Sequence, residues 1–108
     1  PWATASLTTV LKGVISEGTG RNAAIGRPAA GKTGTTSSER DVWFVGYVPQ
    51  LATAVWVGND NYKSMGKGVT GGTHAAPVWR SFMSEALKKE PVRYFPAASQ
   101  FPRPRPSR

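Results

Sequence analysis

A chain of 108 residues holds one domain at most, with a core of modest size. Hydrophobic residues make up 39%, including four Trp, four Phe and three Tyr, which excludes wholesale disorder; the absence of cysteine excludes disulfides and thiolate metal sites. The net charge of +8 sits mainly in residues 88–108, where six basic side chains against Glu90 give +5 and leave +3 for residues 1–87, so a folded basic face of the kind that reads DNA is not indicated.

No run of about 18 apolar residues is present to cross a membrane. The chain opens Pro1-Trp2-Ala3-Thr4, without a start Met or a signal-peptide pattern, and reads as a piece of a longer protein.

Residues 3–17 carry Leu7, Val10, Leu11, Val14 and Ile15 at i, i+3, i+4, i+7 and i+8, one apolar stripe that predicts an amphipathic helix packed through those side chains. Gly18-Thr19-Gly20 stops it in a turn cluster. After a loop over residues 21–28, the hydroxyl-rich residues 29–36 suit a short strand, and Ser37-Ser38-Glu39-Arg40-Asp41 a polar turn. Residues 42–48 and 52–57 are aromatic and β-branched runs separated by Pro49, and each predicts a strand. Both are apolar at odd and even positions alike, so the sheet is expected to be covered on both faces. Connections this short predict a three-stranded antiparallel meander. A glycine-rich loop over residues 61–74 then leads to a helix over residues 75–88. There Thr73 or His74 supplies the cap, Pro77 sits in the first turn, and Val78, Phe82 and Ala86 form the buried face with Trp79 and Met83 beside them. Trp43, Trp56 and Trp79 all read as core. Residues 1–88 thus form the domain part, and residues 89–108, rich in Pro and Arg, read as an extended, disordered tail.

One stretch answers to two motifs. Gly26, Gly31, Lys32 and Thr33 satisfy the phosphate-loop spacing G-x-x-x-x-G-K-[ST]. Such a loop works because a helix begins at the Lys-Thr and aims N–H groups and a dipole at the anion. Here Gly34-Thr35-Thr36-Ser37-Ser38 follow, which are poor helix formers, and Pro28 lies inside the cradle. The letters match and the context does not. Lys32-Thr33-Gly34 also spells K-T-G, the third signature of serine transpeptidases and β-lactamases.

That tripeptide does not stand alone. Glu17-Gly18-Thr19-Gly20, Gly26-Arg27-Pro28, Gly31 to Thr36, Asp41-Val42-Trp43-Phe44-Val45-Gly46-Tyr47, Val55-Trp56-Val57-Gly58, Gly71-Gly72 and Ala75-Ala76-Pro77-Val78-Trp79 follow in order over residues 3–87. Through these blocks the chain resembles the penicillin-binding protein transpeptidase domain, most closely that of the class A, bifunctional members. The resemblance implies an α+β fragment of the serine β-lactamase/transpeptidase-like fold: helix, three-stranded antiparallel meander, helix. It implies a serine D,D-transpeptidase that cross-links peptidoglycan stem peptides ending in D-Ala-D-Ala through an acyl-enzyme and is acylated by β-lactams, with no metal or organic cofactor. By the same resemblance Lys32 serves catalysis, by proton shuttling beside the second-motif serine, and holds the substrate carboxylate. Thr33 and Thr35 offer hydroxyls to that carboxylate. The Thr35 N–H is one of two oxyanion donors, and Gly34 lets substrate lie along the strand edge. The enzyme would work on the outer, periplasmic side of the cytoplasmic membrane, held by an anchor outside this chain.

The nucleophile is missing. The family's S-x-x-K and S-x-N belong upstream of K-T-G and neither occurs there, so the chain supplies one wall of a site, needs the upstream part of the domain as partner, and is expected to be inactive alone. Ser64-Met65-Gly66-Lys67 spells S-x-x-K after K-T-G, in a glycine-rich loop, and reads as coincidence. His74, the sole histidine, reads as a loop or cap residue rather than a metal ligand. Asp60 and Glu39 have no carboxylate partner at a useful spacing. The alternatives are a phosphate-loop nucleotide binder and a basic nucleic-acid-binding module; no specific nucleic acid is expected as a partner.

Overall fold

The computed structural model describes residues 1–36, 40–59, 64–66 and 68–105. The expected turn at Ser37-Ser38-Glu39, Asp60 and the Lys67 of Ser64–Lys67 lie outside these. In order come α1 (Trp2–Ser16), β1 (Ala30–Thr35), β2 (Asp41–Val48), β3 (Leu51–Gly58) and α2 (Ala76–Ala86). Short helical turns at Arg21–Ala23, Gly71–Ala75 and Ala98–Gln100 punctuate them. The sheet order is β1-β2-β3 with both pairings antiparallel, so the α+β helix–meander–helix reading holds. Ala30–Thr35 form a strand and not a helix N-terminus, which removes the phosphate-loop alternative: β1 pairs with β2 from Ala30↔Tyr47 to Thr35↔Val42.

One face of the sheet holds the core. Val42, Phe44, Gly46 and Val48 alternate inward along β2, and α2 lies over them with Trp79, Met83 and Leu87 buried. Phe44 and Trp79, both fully buried, meet edge to face with ring centroids 5.1 Å apart. The Trp79 Nε1–H donates to the Thr53 carbonyl at 3.1 Å, so the indole's polar end is satisfied inside the core. The rings fit because two glycines face them. A Cβ on Gly31 would stand 2.7 Å from Phe44 Cζ, and one on Gly46 2.8 Å from both the Phe44 and Trp79 rings.

The opposite face corrects two expectations. Asp41, Trp43 and Val45 of β2, and Ala54 and Trp56 of β3, share it by register. Trp43 and Val45 are 42% and 50% exposed, and Trp56 is 48% exposed, so this part of the face carries no cover among the described residues, unlike Tyr47 further along β2, which meets Thr8 and Phe95, and two of the three tryptophans expected in the core lie on it. The Trp56 indole N–H donates to Asp41 Oδ1 at 2.9 Å instead.

The helices are correctly located but differently rotated. In α1 the buried residues are Ala5, Thr8 and Ile15, while Leu7 and Val10 from the predicted stripe are 57% and 67% exposed. Small Ala5 is among the residues α1 buries, and Thr8 is buried because its hydroxyl pairs with the Tyr47 hydroxyl at 2.7 Å. Trp79 and Met83 of α2, with Leu87 just past its end, are buried, and Val78 and Phe82 face outward. The cap expected from Thr73 or His74 is shared by Thr70 and Thr73, each hydroxyl accepting from the other's backbone N–H ahead of α2, at 3.1 Å and 2.9 Å.

Beyond α2 the chain is mostly exposed, yet tied down at its start. The Arg27 guanidinium donates to the carbonyls of Leu87, Glu90 and Pro91, and Gln50 donates to Pro91 as well. Phe95 sets its ring edge to face against Tyr47 at 5.5 Å, and Arg103 sits over the Trp2 ring at 5.6 Å. Composition signals solvation but is blind to such contacts.

Candidate active site

β1 runs out of the core as it advances. Ala30 and Gly31 are buried, and Lys32 to Thr35 are half-buried or exposed, the strand pairing only with β2 among the described residues. Its other edge is therefore open over the K-T-G stretch. The direction of the backbone groups follows from the end of the hairpin. The Thr36 N–H donates to the Asp41 carbonyl at 2.9 Å, so Thr36 faces β2. Alternation along an antiparallel strand then turns the N–H and C=O groups of Thr33 and Thr35 toward the open edge.

The side chains converge there from two faces. Register puts Lys32 and Gly34 with Val45 and Trp43 on the uncovered face, and Thr33 and Thr35 with Phe44 and Val42 on the covered one. Lys32 bends to the edge, its Nζ donating to the Thr33 carbonyl at 2.9 Å. No carboxylate pairs with it among the described residues, so the ammonium keeps two of its three donors for a ligand. Gly34 interposes no side chain between this ammonium and the Thr35 N–H.

Two loops buttress the strand from the covered side. The Thr33 hydroxyl lies 2.7 Å from the Thr19 hydroxyl, in the turn after α1. The Thr35 hydroxyl accepts from the Gly71 N–H at 3.1 Å. Asn22 Nδ2 donates to the Gly72 carbonyl at 2.8 Å and ties the two loops together. Side chains are sterically barred at both glycines: a Cβ on Gly71 would strike the Trp43 carbonyl, and one on Gly72 the Thr19 carbonyl. Residue-by-residue reading of the sequence did not single out Thr19, Asn22 or Gly71 as site residues. For Thr19 and Gly71 the only signal was that Gly18-Thr19-Gly20 and Gly71-Gly72 stood among the resembling blocks; Asn22 had none. His74 lies outside this constellation, its Nδ1 2.7 Å from the Thr73 hydroxyl.

Residues 2–84 match the family described as the penicillin binding protein transpeptidase domain. The chain belongs to that family. It is 50% identical over 84 residues to penicillin-binding protein 1A of Neisseria lactamica, covering 76% of this chain and 10% of the relative. To penicillin-binding protein 1A of Pseudomonas aeruginosa it is 47% identical over 88 residues, covering 80% and 11%. The crystal structure of penicillin-binding protein 1A from Haemophilus influenzae superposes with a TM-score of 0.74 at 33% identity, over 85% of this chain and 15% of that one. The chain thus spans about a tenth of the length of the curated relatives it matches. The penicillin-binding protein resemblance of the class A kind holds, and Lys32-Thr33-Gly34 lies on β1.

Proposed function

We propose that this chain forms the K-T-G wall of a serine D,D-transpeptidase active site, in a longer protein that makes peptidoglycan cross-links. The observation that carries the reading is the open edge of β1, where the Lys32 ammonium donates to the Thr33 carbonyl at 2.9 Å and strand alternation turns the Thr35 N–H outward. A serine from an S-x-x-K segment outside this chain attacks the carbonyl of the penultimate D-Ala of a stem peptide. The peptide bond breaks, the terminal D-Ala leaves with a proton, and an ester to the serine remains. An amine of a neighbouring stem then displaces the serine and forms the new amide. The Thr35 N–H stabilises the oxyanion of both tetrahedral intermediates. Lys32, with the S-x-N serine supplied from outside this chain, moves the proton. The Thr33 and Thr35 hydroxyls bind the terminal carboxylate, and β-lactams acylate the same serine. The site faces the periplasm, on a protein anchored in the cytoplasmic membrane.

Fluorescent penicillin labelling of the longer protein tests this. The parent is expected to label, Lys32→Ala to label on the order of a hundred-fold more slowly, in line with loss of a general acid–base group, and residues 1–108 alone not to label. Labelling indifferent to Lys32→Ala would overturn the role of Lys32.

A further inference from the structure

The carboxylate-binding hydroxyls of K-T-G are not left to orient themselves. A threonine hydroxyl carries one proton and two lone pairs, so its use as an outward donor depends on what occupies the lone pairs. At Thr35 this is settled by the backbone. The Gly71 N–H fills a lone pair at 3.1 Å, which leaves the Thr35 proton for the open edge. At Thr33 the partner is another hydroxyl, Thr19 at 2.7 Å, and either oxygen can donate. If Thr33 gives its proton to Thr19, it has none to offer an anion. If Thr19 donates, Thr33 is free to donate outward and is polarised by the bond behind it.

We propose that Thr19 is a positioning residue for carboxylate recognition. It donates to Thr33 when an anionic ligand arrives, so that Thr33 and Thr35 present a matched pair of outward O–H donors, each backed by a donor from a different loop. The Asn22 bond to the Gly72 carbonyl, 2.8 Å, keeps the two backing loops in register. The inference rests on the carboxylate role proposed above for Thr33 and Thr35, and it adds a residue well before the motif, in the turn after α1. It also assigns the backing hydrogen bond a preference: it serves anionic ligands and is of no use to neutral ones.

That preference supplies the test. In the longer protein, acylation rates are measured with a penicillin as the free acid and as its neutral methyl ester, for the parent, Thr19→Val and Thr19→Ser. Thr19→Val keeps the shape and removes the donor. It is expected to slow acylation by the acid roughly ten-fold, the worth of one hydrogen bond serving a charged acceptor, and to change the ester rate less than about two-fold. Thr19→Ser should restore the acid rate. Equal slowing of acid and ester would mark a merely structural role and overturn the inference, as would no slowing of either. Should Thr19→Val fold poorly, Thr19→Ala gives the same acid-to-ester comparison without a branched side chain to seat. A parent protein that neither compound acylates would overturn the transpeptidase reading itself, a different result from an acylated parent whose Thr19 variants show no acid preference.

Discussion

The two faces of the three-stranded sheet are built from the same kinds of residue and behave as different materials. On one, Val42, Phe44 and Val48 are sealed beneath Trp79 and Met83 of α2. On the other, Trp43, Val45 and Trp56 alternate with them along the same strands and stand about half exposed. The covered face is closed by α2, with Ile15 of α1 and Ala23 and Ala29 before β1 joining the same core, and its fit depends on Gly31 and Gly46 making room for two rings. The other face also carries large apolar side chains, and at Trp43, Val45 and Trp56 nothing within the described residues covers them. Apolarity says that a surface can be buried, and only topology says by what.

Four substitutions set the faces against each other, read by urea unfolding of the 108-residue chain. Phe44→Ala removes the ring at the centre of the covered face and is expected to cost about 3–5 kcal/mol. A loss below about 1 kcal/mol would mean that this face is not the core. Gly46→Ala pushes a methyl against the Phe44 and Trp79 rings and is expected to cost about 1–3 kcal/mol by overpacking, with unchanged helical circular dichroism below the transition. The smallest effect sharpens the comparison most. Val45→Thr on the uncovered face is expected to fall within about 0.5 kcal/mol of the parent, whereas the same change at buried Val42 hides a hydroxyl at a cost of about 1–3 kcal/mol. Equal costs at the two sites would erase the distinction between faces.

The order and type of the elements were legible because each announces itself locally. Aromatic and β-branched runs bounded by Pro49 and Gly58 can hardly be other than strands, and the 3.6-residue period of α1 is unambiguous. Rotation was not legible. Both Trp79–Met83–Leu87 and Val78–Phe82 are apolar stripes of α2, one residue apart, and choosing between them requires knowing where Gly46 opens a seat for an indole. In α1 the buried Thr8 reads as polar until Tyr47, 39 positions away, accounts for its hydroxyl. At the site, Lys32, Thr33, Gly34 and Thr35 could be named from a motif. Thr19, Asn22 and Gly71 could not be assigned roles, since the bonds of Thr19 and Gly71 to the strand and of Asn22 to Gly72 span gaps in sequence that no spacing rule encodes.

The third strand has a consequence for handling the molecule. β3, Leu51–Gly58, is hydrogen-bonded on one side only among the described residues, and its sequence LATAVWVG contains no charge and no proline. Charged residues, prolines and bulges are the usual means by which an edge strand is kept from recruiting another chain. An uncharged edge flanked by exposed Trp56 and Ala54 is a template for intermolecular strand addition. Purified by itself, residues 1–108 should therefore scatter light increasingly with concentration. A single lysine at Ala54, which points out from the uncovered face, should be enough to keep it in solution.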